Sequence, residues 1–273
     1  MAVTVADINK LRQQTGAGMM DCKKALEESG GDFEKAIDYL RKKGAKIAAN
    51  RQDRDAKEGY VLAKVKDNVK AILLSINCET DFVAKNQDFQ SFAEEVANIA
   101  LEKFPSDVES LKKLPFNSDI SISDKLMEQI AKIGEKIEIG YYASLEAPYV
   151  VSYIHPGNRL AVIIGFSKVI DSEAAKNIAM QVAAMAPVSI DKNDVPQSVL
   201  ERELEIAREQ VRQEGKPEDM VEKIAQGKLN KFFKEATLLN QEYIKDSKIN
   251  VAQYLQSIDK DAKVVAFKRY SLS

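Results

Sequence analysis

Tryptophan is absent from the 273 residues of this chain, histidine occurs once, and cysteine occurs twice. So few ligands, and so dispersed, exclude a metal cluster of the usual ligand types and spacing. Cys22 and Cys78 fall in segments assigned to different domains. Their simplest state is two free, buried thiols in a reducing cytosol, and a bridge between them would demand a close approach of the two segments. Long apolar runs are also missing: none approaches the roughly 20 residues needed to cross a bilayer. The N-terminus has no basic segment leading into an apolar one, which argues against secretion and for a cytoplasmic protein. Nor is there an excess of positive charge. Forty basic residues face forty-two acidic ones, a net charge near −2, whereas a protein built to clamp phosphate backbones is basic over at least one domain.

What is present suits a soluble α+β protein. Apolar residues make up 45% and charged residues 30% of the chain, and the length allows one large or two modest domains with real cores. Residues 4–43 read as three short helices. The first carries Val5, Ile8 and Leu11 on one face and stops near Thr15-Gly16-Ala17-Gly18; the second carries Met19, Cys22, Ala25 and Leu26 and stops at Gly30-Gly31. Asp32 is positioned to cap the third, whose face is Phe33, Ala36, Ile37 and Leu40. From Gly44 to Gly59 the chain is mostly charged with no clean apolar face, and reads as a linker.

From Tyr60 the period changes. Val61, Ala63 and Val65 alternate with more polar neighbours, Asp67-Asn68 marks a turn, and Val69 to Ile76 forms a second strand. Phe89, Phe92, Val96 and Ile99 then recur at helical spacing. A further helix with Leu126, Ile130 and Ile133 closes at Gly134, and Ile137, Ile139 and Tyr141 resume a strand. The grammar then repeats: strand Tyr149 to Ile154, turn Pro156-Gly157-Asn158, apolar strand Leu160 to Phe166, and a helix with Ala174, Ile178, Val182 and Met185 inward. Two related halves with antiparallel sheets follow from that repetition. The second half is interrupted. Ser198 and Glu201 have the spacing of a capping box, and Leu200, Leu204, Ala207 and Val211 form a narrow heptad seam. Gly215-Lys216-Pro217 reverses the chain, Met220, Val221 and Ile224 line a returning helix, and Val264 to Tyr270 is a last strand. The predicted organisation is a three-helix N-terminal domain at 1–44, a linker at 45–59, core halves at 60–145 and 146–273, and a helical hairpin inserted at about 196–234.

No constellation of catalytic residues stands out. Gly16-Ala17-Gly18 follows a helix and lacks the Gly-Lys-Ser/Thr tail of a phosphate loop, so it reads as a helix–helix turn. His155 precedes Pro156-Gly157 at a hairpin turn with no nucleophile or orienting carboxylate nearby in sequence, which favours a structural or partner-contacting ring. Met19 and Met20 are adjacent, so one is expected in the core and one exposed. Arg12 reads as a solvated surface residue. Burial tendencies favour Phe82 as a core anchor packing towards Phe89 or Phe92, with Asp81 as a cap.

Two stretches carry a family resemblance. Thr15-Gly16-Ala17-Gly18-Met19-Met20-Asp21-Cys22-Lys23-Lys24-Ala25-Leu26 resembles the N-terminal signature of bacterial translation elongation factor Ts, and Asn77-Cys78-Glu79-Thr80-Asp81-Phe82-Val83-Ala84-Lys85 resembles its second signature. The order of pieces agrees over nearly the whole chain, and the N-terminal helices resemble a ubiquitin-associated-type bundle. The resemblance implies a non-enzymatic guanine-nucleotide exchange factor for elongation factor Tu, with no cofactor and no nucleotide site of its own. It assigns Asp81 and Phe82 as a pair that intrudes beside the partner's magnesium and phosphates, with Thr80 and Val83 fixing the loop. Arg12, Met19 and Met20 become an N-terminal contact face, and His155 a core histidine near the partner. A homodimer or a 2:2 complex is compatible with it. The chain departs from the familiar pattern at Glu79, where a neutral glutamine is common. It also stops at Ser273, where many members continue into a C-terminal helical module whose contacts would then be lacking. The competing reading is a passive binding module or RNA-associated scaffold using Arg41, Lys42, Lys43 and Lys46.

Overall fold

The computed structural model describes residues 3–272. Helix α1, Val5–Thr15, opens with a capping box between Thr4 and Asp7 and stops at Gly16 in the left-handed conformation. Helix α2, Met19–Glu28, ends before Gly30 and Gly31, both at positive φ. Ile8, Leu11, Cys22, Ala25, Leu26, Ala36 and Leu40 make their shared small core. Val5 is not part of it; it is exposed, as are both Met19 and Met20.

Helix α3, Phe33–Asn50, is capped by Asp32 as expected but does not end at Gly44. It runs on through the segment read as the start of a linker, so that only 51–57 connects it to the first strand. Gly44 is the reason. A Cβ there would collide with the Met127 carbonyl on a later helix, so the glycine permits a close helix crossing where its sequence context suggested a stop.

The first half comprises β1 (Glu58–Lys66), β2 (Lys70–Cys78), the one-turn helix α4 (Asp81–Ala84), α5 (Gln87–Lys103), α6 (Val108–Lys113), α7 (Ile122–Ile133) and β3 (Glu138–Glu146). Its antiparallel sheet has the order β1-β2-β3. The second half comprises β4 (Tyr149–Ile154), β5 (Leu160–Phe166), α8 (Ser172–Met185), the hairpin helices α9 (Gln197–Gln213) and α10 (Glu218–Ala236), β6 (Glu242–Tyr243), β7 (Asp246–Asn250), α11 (Val251–Ile258) and β8 (Val264–Ser271). Its main sheet has the equivalent order β4-β5-β8.

The two sheets stack face to face, each covered outside by helices. On β2, Ile72, Leu74 and Ile76 point towards α5 and α7, while Ala71 and Leu73 meet Val150, Ala161 and Ile163 of the other sheet. On β5, Val162, Ile164 and Phe166 point towards α8 and α11. Both central strands are therefore buried on both faces, which is why they read as apolar runs without clean alternation. The two halves clasp reciprocally. Val61 N–H of β1 donates to the Asn158 carbonyl at 2.8 Å, and Val150 N–H of β4 donates to the Asn68 carbonyl at 2.6 Å. Asn68 and Asn158 both sit at positive φ in the hairpin turns, where asparagine is tolerated better than most residues. Each half thus supplies a turn carbonyl to the other's first strand, an arrangement like the isologous interface of a symmetric dimer.

The hairpin rises from a base closed by a bridge between Ser189 and Thr237. Ala207, Val211, Val221, Ala225 and Leu229 form its buried seam. Arg208 pairs with Glu222, Arg212 with Glu218, and Lys228 with Glu214 across it. Three local expectations change. The Ser198/Glu201 capping box is not formed, because α9 starts two residues earlier, after Pro196; Gln197 instead donates to Glu201 at 3.0 Å. Met185 and Met220 are exposed where an inward face was expected, each lying in an end turn of its helix.

Two glycine substitutions test the α3 crossing. Gly44→Ala should lower stability by about 1–3 kcal/mol through overpacking against α7. Gly227→Ala, within α10 and with nothing within 4 Å of the added methyl, should raise it by about 0.5–1 kcal/mol through helix propensity. Urea unfolding of both variants checks the pair; equal effects of the same sign would contradict the crossing.

Candidate partner interface

The stretch Glu79–Asn86 leaves the end of β2, the buried central strand of its sheet, and its backbone is tied on both sides of Phe82. Thr80 is the N-cap of α4, its hydroxyl accepting from Val83 N–H at 3.4 Å. The Thr80 carbonyl accepts from the Cys78 thiol at 3.2 Å and from Ala84 N–H at 3.2 Å. Asn86 caps α5 through Asp88 N–H and Phe89 N–H. Within this frame Ala84 is buried, Val83 packs on the core formed with α5 and α7, and Phe82 is 82% exposed. The expected packing of Phe82 towards Phe89 or Phe92 is therefore absent; Phe92 pairs with Phe116 instead, at 6.0 Å between ring centroids. The reason is helical geometry. In a one-turn helix whose Val83 and Ala84 face inward, Phe82 must face out.

Asp81 occupies the first position of α4, where a carboxylate suits the helix dipole. It pairs with Lys85 at 2.7 Å. The Lys85 hydrogen bond, against a smaller effect of burial, holds its carboxyl below the usual range, so Asp81 presents a negative charge beside Phe82.

The side chains behind the loop come from far along the sequence. Glu135, in the connection between α7 and β3, accepts from Glu79 N–H and Thr80 N–H at 3.1 Å each and from the Thr80 hydroxyl at 2.7 Å. Glu79 turns the other way, accepting from Arg51 at 2.7 Å and from Lys136 N–H at 2.6 Å. Lys136 Nζ in turn donates to the carbonyls of Gln52 and Arg54, each at 3.1 Å. Burial would raise the Glu79 carboxyl, but the Lys136 amide and the Arg51 guanidinium together hold it below the ordinary value of 4.5. Neither Glu135 nor Arg51 is marked by the sequence, since each meets the loop only through the fold. Burial pushes the Cys78 thiol up to about 12, helped by the nearby Glu135 charge; both cysteines are free and buried, as expected.

Two cavities flank the loop. One of about 460 Å³ lies beside Phe82 and is lined by Val83, Asp88, Lys132 and Glu135 among others. Lys132 also lies against Gly16, the turn that leads to Met19 and Met20, so the N-terminal methionines emerge near the Phe82 side. The second, about 360 Å³, is shared by Asp81, Lys85, Gly157 and Arg159. It brings the β4–β5 turn to the Asp81 side. His155 belongs to that turn and is exposed, its ring hydrogen-bonded to Tyr153 at 3.0 Å. Arg12 is exposed at the end of α1. The cations of the RNA reading are partly engaged within the protein: Arg41 pairs with Asp38 and Glu128, and Lys43 with Asp21. Among the described residues no group of three or more His, Cys, Asp and Glu side chains could hold a metal ion, and no helix is long and apolar enough to cross a membrane.

Fold and site together define a class: an α+β protein that presents an uncovered aromatic side chain on a rigid mount, next to a carboxylate. The profile of the family Elongation factor TS matches residues 79–273. Full-length relatives agree. The chain is 55% identical to Elongation factor Ts of Christiangramia forsetii, covering 99% of this chain and 98% of the relative. It is 48% identical to that of Porphyromonas gingivalis, covering 100% and 99%, and 47% identical to that of Thermobifida fusca, covering 92% and 91%. This chain belongs to the elongation factor Ts family.

The Glu79 clasp carries a pH signature. Because its carboxyl is lowered on folding, its contribution is complete above 4.5 and is lost as the pH falls below that value. Wild type should therefore exceed Glu79→Gln by about 1 kcal/mol at neutral pH and by clearly less at an acidic pH below 4.5. Urea midpoints at the two pH values decide it, and a difference independent of pH would contradict the assignment.

Proposed function

We propose that this protein is a non-enzymatic guanine-nucleotide exchange factor that binds elongation factor Tu and promotes GDP release in the cytoplasm by disturbing the partner's magnesium and phosphate site. The observation that carries the proposal is Phe82, 82% exposed on a one-turn helix whose inward residues, Val83 and Ala84, are anchored. A lone exposed apolar residue is ordinary on a protein surface. One on a backbone already held in place, beside an ionised Asp81, is what an intruding wedge requires, because little loop ordering remains to be met on binding.

Magnesium, the nucleotide phosphates and the switch loops of a GTPase hold one another in place. A wedge that fits only when that set is displaced binds the nucleotide-free state better, and linkage then makes the effect mutual. A thousandfold weakening of GDP needs about 4 kcal/mol of differential binding. One aromatic anchor supplies roughly 2 kcal/mol or somewhat more, so other surfaces must contribute. Arg12, Met19 and Met20 form one such surface on the Phe82 side, and the turn bearing His155 forms another on the Asp81 side. Thr80 and Val83 hold the wedge in place. The protein itself needs neither a nucleotide site nor a cofactor, and it favours neither GDP nor GTP.

Phe82→Ala tests the proposal. Thermal unfolding should be unchanged within about 0.5 kcal/mol, because the side chain touches little of its own protein. Stimulated release of fluorescent GDP from elongation factor Tu should fall roughly 30-fold, the rate equivalent of about 2 kcal/mol. Undiminished stimulation by the folded variant would remove Phe82 from the role. Salt-sensitive RNA binding without any effect on GDP release would favour the scaffold reading instead.

A further inference from the structure

The loop that carries Phe82 is held by a carboxylate clamp that lies outside both sequence signatures. Glu135 uses both oxygens on it: one accepts the backbone N–H groups of Glu79 and Thr80, the other the Thr80 hydroxyl. That last bond has a directional consequence. With its proton committed to Glu135, the Thr80 hydroxyl oxygen is left to accept from Val83 N–H, which caps α4. On the opposite side Glu79 is gripped by Arg51 and by Lys136 N–H, while the Lys136 ammonium binds the carbonyls of Gln52 and Arg54. Three separate segments, 51–54, 79–80 and 135–136, are thereby knotted behind one exposed aromatic ring. Nothing in the core demands two half-buried carboxylates here, since the apolar cluster under α5 and α7 is complete without them. All three oxygen contacts of Glu135 fall on the loop, on Glu79 and Thr80.

We infer that Glu135 is a positioning residue for the Asp81-Phe82 wedge, acting through Thr80, with the Arg51–Glu79 pair fixing the loop from its other side. This rests on the exchange-factor reading of the wedge. The wedge is useful only at the step in which nucleotide leaves, whereas initial docking involves other surfaces. A loosened mount therefore slows the release step without weakening docking, the signature of an interaction realised only on the way through the barrier. Small displacements of a positioned group are sufficient for large rate losses.

The experiment is a titration of GDP-loaded elongation factor Tu with each variant, reading the maximal release rate separately from the half-saturating concentration. Glu135→Ala should lower the maximal rate about tenfold and leave the half-saturating concentration within about twofold. Glu135→Gln keeps an oxygen for the two backbone amides and turns its NH2 on the Thr80 hydroxyl, whose second lone pair can accept it, so it should restore most of the rate. Thr80→Val, of nearly the same shape, removes the hydroxyl alone; it should reproduce the Glu135→Ala loss, and it keeps the test decisive if that variant folds poorly. An unchanged maximal rate in Glu135→Ala or Thr80→Val, or a loss confined to the half-saturating concentration, overturns the positioning role while leaving the wedge intact. Failure of the wild-type protein to accelerate release at all overturns the exchange reading, and the positioning role with it.

Discussion

The burial of two sheets against each other is the constraint on which the rest of this molecule depends. Neither sheet could stand alone, because β2 and β5 are apolar on both faces and each needs helices on one side and the partner sheet on the other. The reciprocal bonds from Val61 to Asn158 and from Val150 to Asn68 fix how the halves meet. Fixing the sheets fixes the end of β2, and the Glu79–Asn86 loop departs directly from that end. A loop launched from the middle of a four-layer sandwich inherits the rigidity of the core, which is unusual for a surface segment.

That inheritance explains how an exposed phenylalanine can be tolerated and used. Leaving Phe82 in water forgoes roughly 1.5–3 kcal/mol that burial would give. The loop does not collapse to recover it, because Thr80, Val83 and Ala84 are already committed to hydrogen bonds or to the core. The stabilisation forgone within the chain becomes available to whatever covers the ring. The long α3 extends the same logic to the N-terminal helices: Gly44 lets α3 cross α7 closely, and Arg51, just past its end, reaches the Glu79 clamp. The N-terminal face and the wedge are thus connected by packed structure and not only by a tether.

Much of this can be read from the sequence, and what cannot has a common cause. Asp32 as a cap, Gly16, Gly30, Gly31 and Gly134 as stops, and the turns at Asp67-Asn68 and Gly157-Asn158 are legible because each acts within a few residues of itself. So are the two related halves, because the strand–turn–strand–helix order is repeated. Burial at element ends is not. Met19, Met185 and Met220 fit an apolar stripe by period, yet each is left exposed in an end turn of its helix, which only the assembled fold decides. Gly44 looks like a stop because its neighbours are charged, but its lack of a side chain serves a contact with Met127. Glu135 reaches Thr80 from another element, and no local signal links the two. Burial tendency alone misplaces Phe82 in the core, and within the sequence only the signature around it points outward.

The central claim is that the wedge trades places with the nucleotide, and reciprocity tests it most directly. The affinity of this protein for elongation factor Tu is measured with and without saturating GDP, and the affinity of elongation factor Tu for GDP with and without saturating protein. Both affinities should weaken by the same factor, as linkage requires of a shared coupling. An affinity of this protein for elongation factor Tu that is indifferent to GDP would contradict it.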